Sequence, residues 1–136
     1  MANLVDELLK ADAAKAVERP TGVFKSKRLQ AIIGAEEPVE VKIRAIKPRR
    51  LNDVVGYARR SNGDIDYTRT YDASLLACME GIVEPDLKNK DVQKHFGAAT
   101  PKDLAEILFD TEANMISAEI IKLSGISEDT EEEVKN

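Results

Sequence analysis

The chain has few residues that could perform covalent chemistry, since it contains one cysteine, Cys78, and one histidine, His95. A cysteine beside a histidine can form a nucleophile and its general base. The apolar pattern places both residues on helical stripes, where a thiol is usually a small buried hydrophobe and a lone histidine a packed or capping residue. These two residues are also too few for a disulfide or an ordinary zinc site. We therefore expect no catalytic residue, no metal and no cofactor.

Two short motifs share part of their pattern with ligand-binding loops. Residues 62–66 read Asn-Gly-Asp-Ile-Asp, but the acid spacing of a calcium loop is incomplete and its bidentate glutamate is missing. Asn-Gly is a strong turn signal, so we expect a turn here. Residues 97–101 read Gly-Ala-Ala-Thr-Pro, which lacks the lysine and the glycine spacing of a phosphate-binding loop.

A locally basic segment runs from Lys42 to Arg60, with seven bases against one acid, Asp53. Such a segment can attract phosphates or an acidic partner, or it can simply be the solvated faces of a strand and a helix. Single-strand nucleic-acid binders interleave aromatic rings with their charges, and this segment has only Tyr57, so we expect no nucleic-acid partner. The candidate partner contacts here are Arg49, Arg50, Arg59 and Arg60.

The end of the chain concentrates its negative charge. Residues 126–136 contain five acids and one base, a balance of −4 out of the formal net charge of −5. Ile126 and Val134 are the only apolar residues there, too few to offset the entropy of ordering the segment. We expect a disordered acidic tail that either solubilises the protein or docks on a partner. The acids that would dock are Glu128, Asp129, Glu131, Glu132 and Glu133.

Composition favours a soluble protein with one domain over residues 1–125. A chain of 136 residues, 43 % of them apolar and 33 % charged, can bury roughly 65–70 % of the surface that its unfolded form exposes. No apolar run approaches the roughly 18 residues of a membrane span. The first residues lack the pattern of a secretory signal. We expect a cytosolic protein without membrane contact that works by binding or assembly.

The N-terminal part predicts one helix and a small sheet. Apolar residues at helical spacing predict an amphipathic helix from residue 4 to about residue 18, with Asn3 as its cap. Residues 23–28 suit a strand, but Ser26 could instead cap a short helix, and both alternatives remain open. Apolar and polar residues alternate over residues 38–46, which predicts a half-buried strand.

Caps, prolines and apolar stripes predict five further helices. The helix after Pro48 runs to about Arg60, and the next carries Ile82 and Val83 on its stripe until Pro85 ends it. Gly125 closes the last helix, and Ile126 could contact Ile121 beyond it. The residues expected to open these helices are Pro48, Asp72, Asp91, Thr100 with Pro101, and Thr111. The predicted strands lie in the N-terminal part of the chain and most predicted helices follow them. This order predicts an α+β fold in which a small N-terminal antiparallel sheet is covered by about five helices.

Three blocks of residues carry a resemblance to a known family. They read Gly-Ile-Val-Glu-Pro-Asp-Leu at 81–87, Phe-Gly-Ala-Ala-Thr-Pro-Lys-Asp-Leu at 96–104, and Leu-Ser-Gly at 123–125. Their order and spacing resemble the XkdN-like phage tail assembly chaperones, and looser similarity extends towards the N-terminus. The chain departs from the family pattern before the last helix, where it reads Leu-Phe-Asp-Thr-Glu at 108–112. Thr111 could replace the usual turn there by capping the helix.

The resemblance implies a phage or prophage protein that works in the bacterial host cytoplasm and is absent from the finished particle. Such a protein coats the tape-measure protein, keeps it soluble, and helps recruit tail-tube subunits without catalysis. Self-association is compatible with this role. Five residues carry the family pattern, and each has a structural explanation in helix stopping, capping or positive φ: Gly81, Pro85, Gly97, Pro101 and Gly125.

The alternative function is that of a structural tail component that stays in the particle, because small α+β domains serve such roles too. Stoichiometric amounts in purified particles would favour this alternative, and absence from them would favour the chaperone.

Overall fold

The computed structural model describes residues 3–125 of the chain. Seven α-helices, one 3-10 helix and three strands follow one another along this part. In chain order they are α1 (Leu4–Lys10), the 3-10 helix (Ala13–Ala16), β1 (Thr21–Ser26), α2 (Lys27–Ile33), β2 (Val39–Arg44), α3 (Pro48–Tyr57), α4 (Thr70–Gly81), β3 (Ile82–Glu84), α5 (Lys90–Phe96), α6 (Pro101–Phe109) and α7 (Glu112–Leu123). The acidic segment and the contact predicted for Ile126 lie outside the described residues.

The first helix is shorter than predicted. Asn3 caps α1 as expected, because its side chain accepts a hydrogen bond from the backbone N–H of Asp6. The helix ends at Lys10, where Ala11 turns to extended backbone, and Asp12 then caps the separate 3-10 helix. The prediction of one continuous helix to about residue 18 is therefore wrong, because a second capping residue interrupts it.

Both alternatives for residues 23–33 occur together. Residues 21–26 form β1, and Ser26 then caps α2 by accepting a hydrogen bond from the Leu29 N–H at 3.0 Å. Glu112, the first residue of α7, completes this cap from the other end of the chain. One of its carboxylate oxygens accepts from Ser26 Oγ at 2.6 Å, and the other accepts from the backbone N–H groups of Lys27 and Arg28. A carboxylate is favourable there because the first turn of a helix carries partial positive charge.

The three strands form one antiparallel sheet in the order β1-β2-β3. The predicted alternation of β2 is confirmed, since Val41 and Ile43 are buried while Glu40, Lys42 and Arg44 are exposed. β1 pairs along its whole length, from Thr21 opposite Arg44 to Ser26 opposite Val39. β3 pairs with the other edge of β2, with Lys42 opposite Glu84.

The third strand was predicted as the end of a helix. Ile82 and Val83 belong to β3, and α4 stops at Gly81. Pro85 explains the change, because the residue before a proline is pushed from helical to extended backbone and Glu84 fills that position. The start was also misplaced, since α4 begins at Thr70 and Asp72 lies in its first turn instead of capping it.

The remaining helix ends follow local chemistry. Thr100 and Pro101 open α6 as predicted, with Thr100 Oγ1 accepting from the Asp103 N–H at 3.1 Å. Asn89, not Asp91, caps α5, and α3 ends at Tyr57, before Arg60. Thr111 precedes α7 but makes no side-chain capping hydrogen bond, so the predicted cap is wrong. The carboxylate of Glu112 binds the start of α2 instead.

The core lies between one face of the sheet and the C-terminal helices. Its largest fully buried side chains include Phe109 of α6, Leu75 of α4, and Ile116 and Ile120 of α7. Gly81 is buried where α4 meets α7, and a Cβ added there would lie only 2.5 Å from Ile120 Cγ2. The α+β prediction is confirmed, with the third strand supplied from the middle of the chain. Between residues 3 and 125, no helix combines the length and the apolarity needed to cross a bilayer.

Candidate partner-binding surfaces

The four arginines predicted as partner contacts fall into two separate groups. Arg49 and Arg50 lie in the first turn of α3, whereas Arg59 and Arg60 follow its end. Ten residues of helix rise correspond to roughly 15 Å, so the two groups do not form one continuous patch. All four side chains are exposed.

Arg50 belongs to a basic cleft of about 400 Å³, lined by Arg19, Arg44, Ala45, Ile46, Lys47, Arg50 and Glu80. Arg50 Nη2 lies 2.6 Å from Glu80 Oε1, and the Arg50 Nε also donates to this oxygen. This hydrogen bond and the charge of Glu80 raise the pKa of Arg50 above its ordinary value. Within residues 3–125, Arg19, Arg44 and Lys47 form no ion pair. The cleft therefore keeps a surplus of positive charge.

Arg59 and Arg60 lie on the N-terminal side of a small hairpin-like loop. Arg59 pairs with Ile65 in an isolated antiparallel bridge, and Gly63 between them has a φ of +91°. The Arg59 guanidinium donates to the Gly63 carbonyl, and Arg60 Nε lies 4.0 Å from Asp66 Oδ2. The turn predicted for this segment is confirmed.

The acids of the same loop are engaged in local hydrogen bonds. Asp66 accepts from both the N–H and the hydroxyl of Thr68, and these two bonds lower the pKa of Asp66. Asp64 accepts from the Asn62 amide. Among residues 3–125, no group of three or more histidine, cysteine, aspartate or glutamate side chains could hold a metal ion.

Cys78 and His95 have very different surroundings. The Cys78 thiol is fully buried on α4 and lies 3.5 Å from the Ala113 carbonyl, to which it donates. Burial raises the pKa of this thiol to about 12, which leaves it protonated at neutral pH. His95 was predicted on an apolar stripe, but its side chain is exposed on α5 and meets Phe96 edge to face. Of the two alternatives, a packed or a capping histidine, the packed one is therefore wrong, and His95 lies in the last turn of α5.

An exposed apolar segment was missed at the sequence level. We call residues 3–17 the N-terminal arm. Every residue of the arm is exposed, including apolar side chains that are 62–80 % accessible: Leu4, Val5, Leu8 and Leu9. Val17, at the end of the arm, is 75 % accessible. Apolar spacing predicts a helical face but cannot tell whether the chain itself covers that face.

The five residues of the family pattern occupy special backbone positions. Gly97 ends α5 with a φ of +74°, Gly125 follows α7 with a φ of +95°, and Pro101 is the first residue of α6. Pro85 follows β3 through a cis peptide bond. Gly81 is the last residue of α4, and its buried hydrogen faces the side chain of Ile120.

Comparison with known proteins gives the family. The model of the phage XkdN-like tail assembly chaperone proteins matches residues 5–136, nearly the whole chain. Neither the curated proteins nor the solved structures gave a significant match. The family match includes residues 5–17 of the N-terminal arm and the whole acidic segment. The chain therefore belongs to the XkdN-like family of phage tail assembly chaperones.

Proposed function

We propose that this chaperone binds the tape-measure protein of its phage through the N-terminal arm, keeps that protein soluble, and helps recruit tail-tube subunits around it. The role is one of binding without catalysis, carried out in the bacterial host cytoplasm while tails assemble. The observation that carries the proposal is the exposure of the apolar residues along α1.

The arm has the properties of a segment that becomes ordered against a partner. No residue of α1 is buried, although Leu4, Leu8 and Leu9 are all large and apolar. Full burial of one such side chain contributes roughly 1.5–3 kcal/mol. A tape-measure protein is a long helical chain with apolar stripes that aggregate when bare, and an amphipathic helix can cover such a stripe.

The affinity for the tape-measure protein needs to be modest at each site. Tail-tube subunits must later displace the chaperone, and a short helix with three or four apolar anchors suits reversible binding. Many copies along one long partner would still keep it covered, because neighbouring sites act together. The exposed arginines Arg49, Arg50, Arg59 and Arg60 would add electrostatic steering and set the orientation of binding.

The proposal is tested by co-expressing the tape-measure protein with the full chain or with a Leu8→Gln/Leu9→Gln variant. Glutamine keeps good helix propensity and removes the apolar surface, so the helix should form but bind poorly. We expect the full chain to bring the tape-measure protein into the soluble fraction and to co-purify with it. The variant should lose most of both effects.

A matched control is Ile65→Gln/Met115→Gln, which removes exposed apolar side chains from other parts of the surface. This variant should solubilise the tape-measure protein as the unaltered chain does. Equal co-purification by the arm variant and the unaltered chain would contradict binding through the arm. Stoichiometric amounts of the chain in purified particles would instead support the alternative function, a structural component of the tail.

A further inference from the structure

The basic cleft holds more positive charge than its own surroundings neutralise. Of the described residues, four bases and one acid line it, and the acid, Glu80, is already engaged with Arg50. Arg44 and Lys47 are exposed and form no ion pair within the described residues. Among residues 3–125, no aromatic side chain lines the cleft, so this part of the chain gives it no stacking surface of the kind typical of single-strand nucleic-acid binders. Its chemistry fits a flexible chain of carboxylates.

The C-terminal end of α7 brings the chain to this cleft. Ser124 Oγ accepts a hydrogen bond from the backbone N–H of Ile46 at 2.9 Å, and Ile46 is one of the lining residues. Ser124 Oγ also donates to the Ile120 carbonyl, which fixes the hydroxyl between the helix end and the residues after β2. Gly125 follows directly, and the acidic segment begins at the next residue.

We propose that residues 126–136 of this chain dock in the basic cleft of the same molecule. The segment carries a net charge of −4, against a cleft with three more bases than acids among its lining residues. Carboxylates of Glu128 to Glu133 would pair with the guanidinium groups of Arg19 and Arg44 and the ammonium group of Lys47, in exposed, salt-sensitive contacts.

Tether length supports the segment of the same chain as the occupant. Eleven residues follow Gly125, and an extended chain covers at most about 3.3–3.6 Å per residue. The acids can therefore reach the lining residues next to Ile46, the residue of the cleft to which Ser124 is hydrogen-bonded. A short tether also gives an effective concentration in the millimolar range. Even weak individual ion pairs are then sufficient for docking, because no second molecule has to be recruited.

The test uses the full chain labelled with 15N and measures backbone order parameters for residues 128–133 by NMR relaxation. At low salt, about 20 mM, we expect order parameters above about 0.6, the upper limit for flexible backbone. At about 0.5 M salt the Debye length is a few ångströms, and the order parameters should fall below that value. The values should not change on dilution, because the docking is intramolecular.

Charge reversal identifies the docking surface. Arg44→Glu/Lys47→Glu should make residues 128–133 flexible even at low salt. The matched control, Lys90→Glu/Lys94→Glu, reverses two exposed bases on α5 and should leave the order parameters as they are. Unchanged dispersion of the core amide signals in both variants shows that the fold is retained.

Three results would overturn the proposal. Residues 128–133 could be flexible at low salt in the unaltered chain, or they could stay ordered after Arg44→Glu/Lys47→Glu. Order that disappears on dilution would place the acidic segment on a second copy. The measurement involves no other protein, so its outcome is independent of whether the arm binds the tape-measure protein.

Discussion

The N-terminal arm and the α4–α7 pair have the same kind of sequence pattern and opposite environments. Leu8 and Leu9 of the arm are 64 % and 80 % accessible, whereas Leu75 of α4 and Ile116 of α7 are fully buried. Both regions place large apolar residues at helical spacing. The difference is that α4 and α7 pack on each other and on α6, and α7 also packs on the sheet, while no residue of α1 is buried.

The same kind of apolar spacing is therefore buried in one region of this molecule and exposed in the other. Buried stripes supply most of the folding free energy, because each large apolar side chain removed from water contributes roughly 1.5–3 kcal/mol. The stripe of the arm contributes little of this kind to the described fold, because its apolar side chains stay exposed to water. Changes in the two regions should therefore have very different effects on stability and accessibility.

Thiol labelling should reveal the largest contrast between the two regions. At pH 8 a thiol with a pKa of about 12 is deprotonated in about one molecule in ten thousand, whereas an ordinary exposed cysteine is about one quarter thiolate. In a Leu8→Cys variant, we expect the arm thiol to react with iodoacetamide at least about a thousandfold faster than Cys78. Peptide mass mapping separates the two sites.

The pH dependence of this labelling has a definite sign. The folded state holds the Cys78 proton more tightly than the unfolded chain, so thiolate formation disfavours the fold above pH 9. The rate at Cys78 should rise with pH up to about 12, while the rate at an arm cysteine should level off above its ordinary pKa. Comparable rates at pH 8 would contradict the burial of Cys78.

Gly81→Ala should have the next largest effect, on the packing of α4 against α7. The added methyl group would lie 2.5 Å from Ile120 Cγ2, and Ile120 is fully buried. We expect the free energy of unfolding to fall by about 1–3 kcal/mol in urea denaturation, even though alanine favours a helix more than glycine does.

Gly56→Ala is the matched control for this substitution. Gly56 lies within α3, and a Cβ added there would meet no atom within 4 Å. This change should raise the free energy of unfolding by about 0.5–1 kcal/mol. Stabilisation by both alanine substitutions would be inconsistent with a close approach of the two helices at Gly81.

Substitutions in the arm should have the smallest effect on the free energy of unfolding. Leu8→Gln/Leu9→Gln removes two large apolar side chains that the fold leaves exposed, so the free energy of unfolding should change by less than about 0.5 kcal/mol. Urea denaturation of this variant and of the unaltered chain measures the change in the free energy of unfolding. If the free energy of unfolding fell by about 2 kcal/mol or more, the arm would have to pack on the rest of the fold in solution. The two regions would then no longer differ in burial.

Local sequence signals predicted much of the fold. The cap at Asn3, the Thr100–Pro101 helix start and the alternation along β2 all depend on neighbouring residues, and all three are confirmed. Long-range effects were missed. β3 forms because β2 offers a free edge to residues 82–84, and the start of α2 is completed by Glu112, which is 84–86 residues away in sequence.

The candidate surfaces were less predictable than the fold. Charge counting located the basic segment, but it could not separate Arg50, which is paired with Glu80, from Arg44 and Lys47. Arg19 joins the same cleft from outside the basic segment. The arm was predicted as an amphipathic helix, yet only the three-dimensional arrangement shows that its apolar face is left exposed.

The contacts of Glu112 and Ser124 join early and late parts of the chain, so the fold cannot be completed until the late residues have been translated. A nascent chain that lacks residue 112 has no carboxylate for the start of α2. Without residues 112–124 it also lacks α7, which packs against the sheet. The sheet and the helices can pack together only after residues 112–124 have been made, at about 5–20 residues per second. The arm is made about a hundred residues before α7, so its exposed apolar helix is synthesised several seconds before the sheet and the C-terminal helices can pack together.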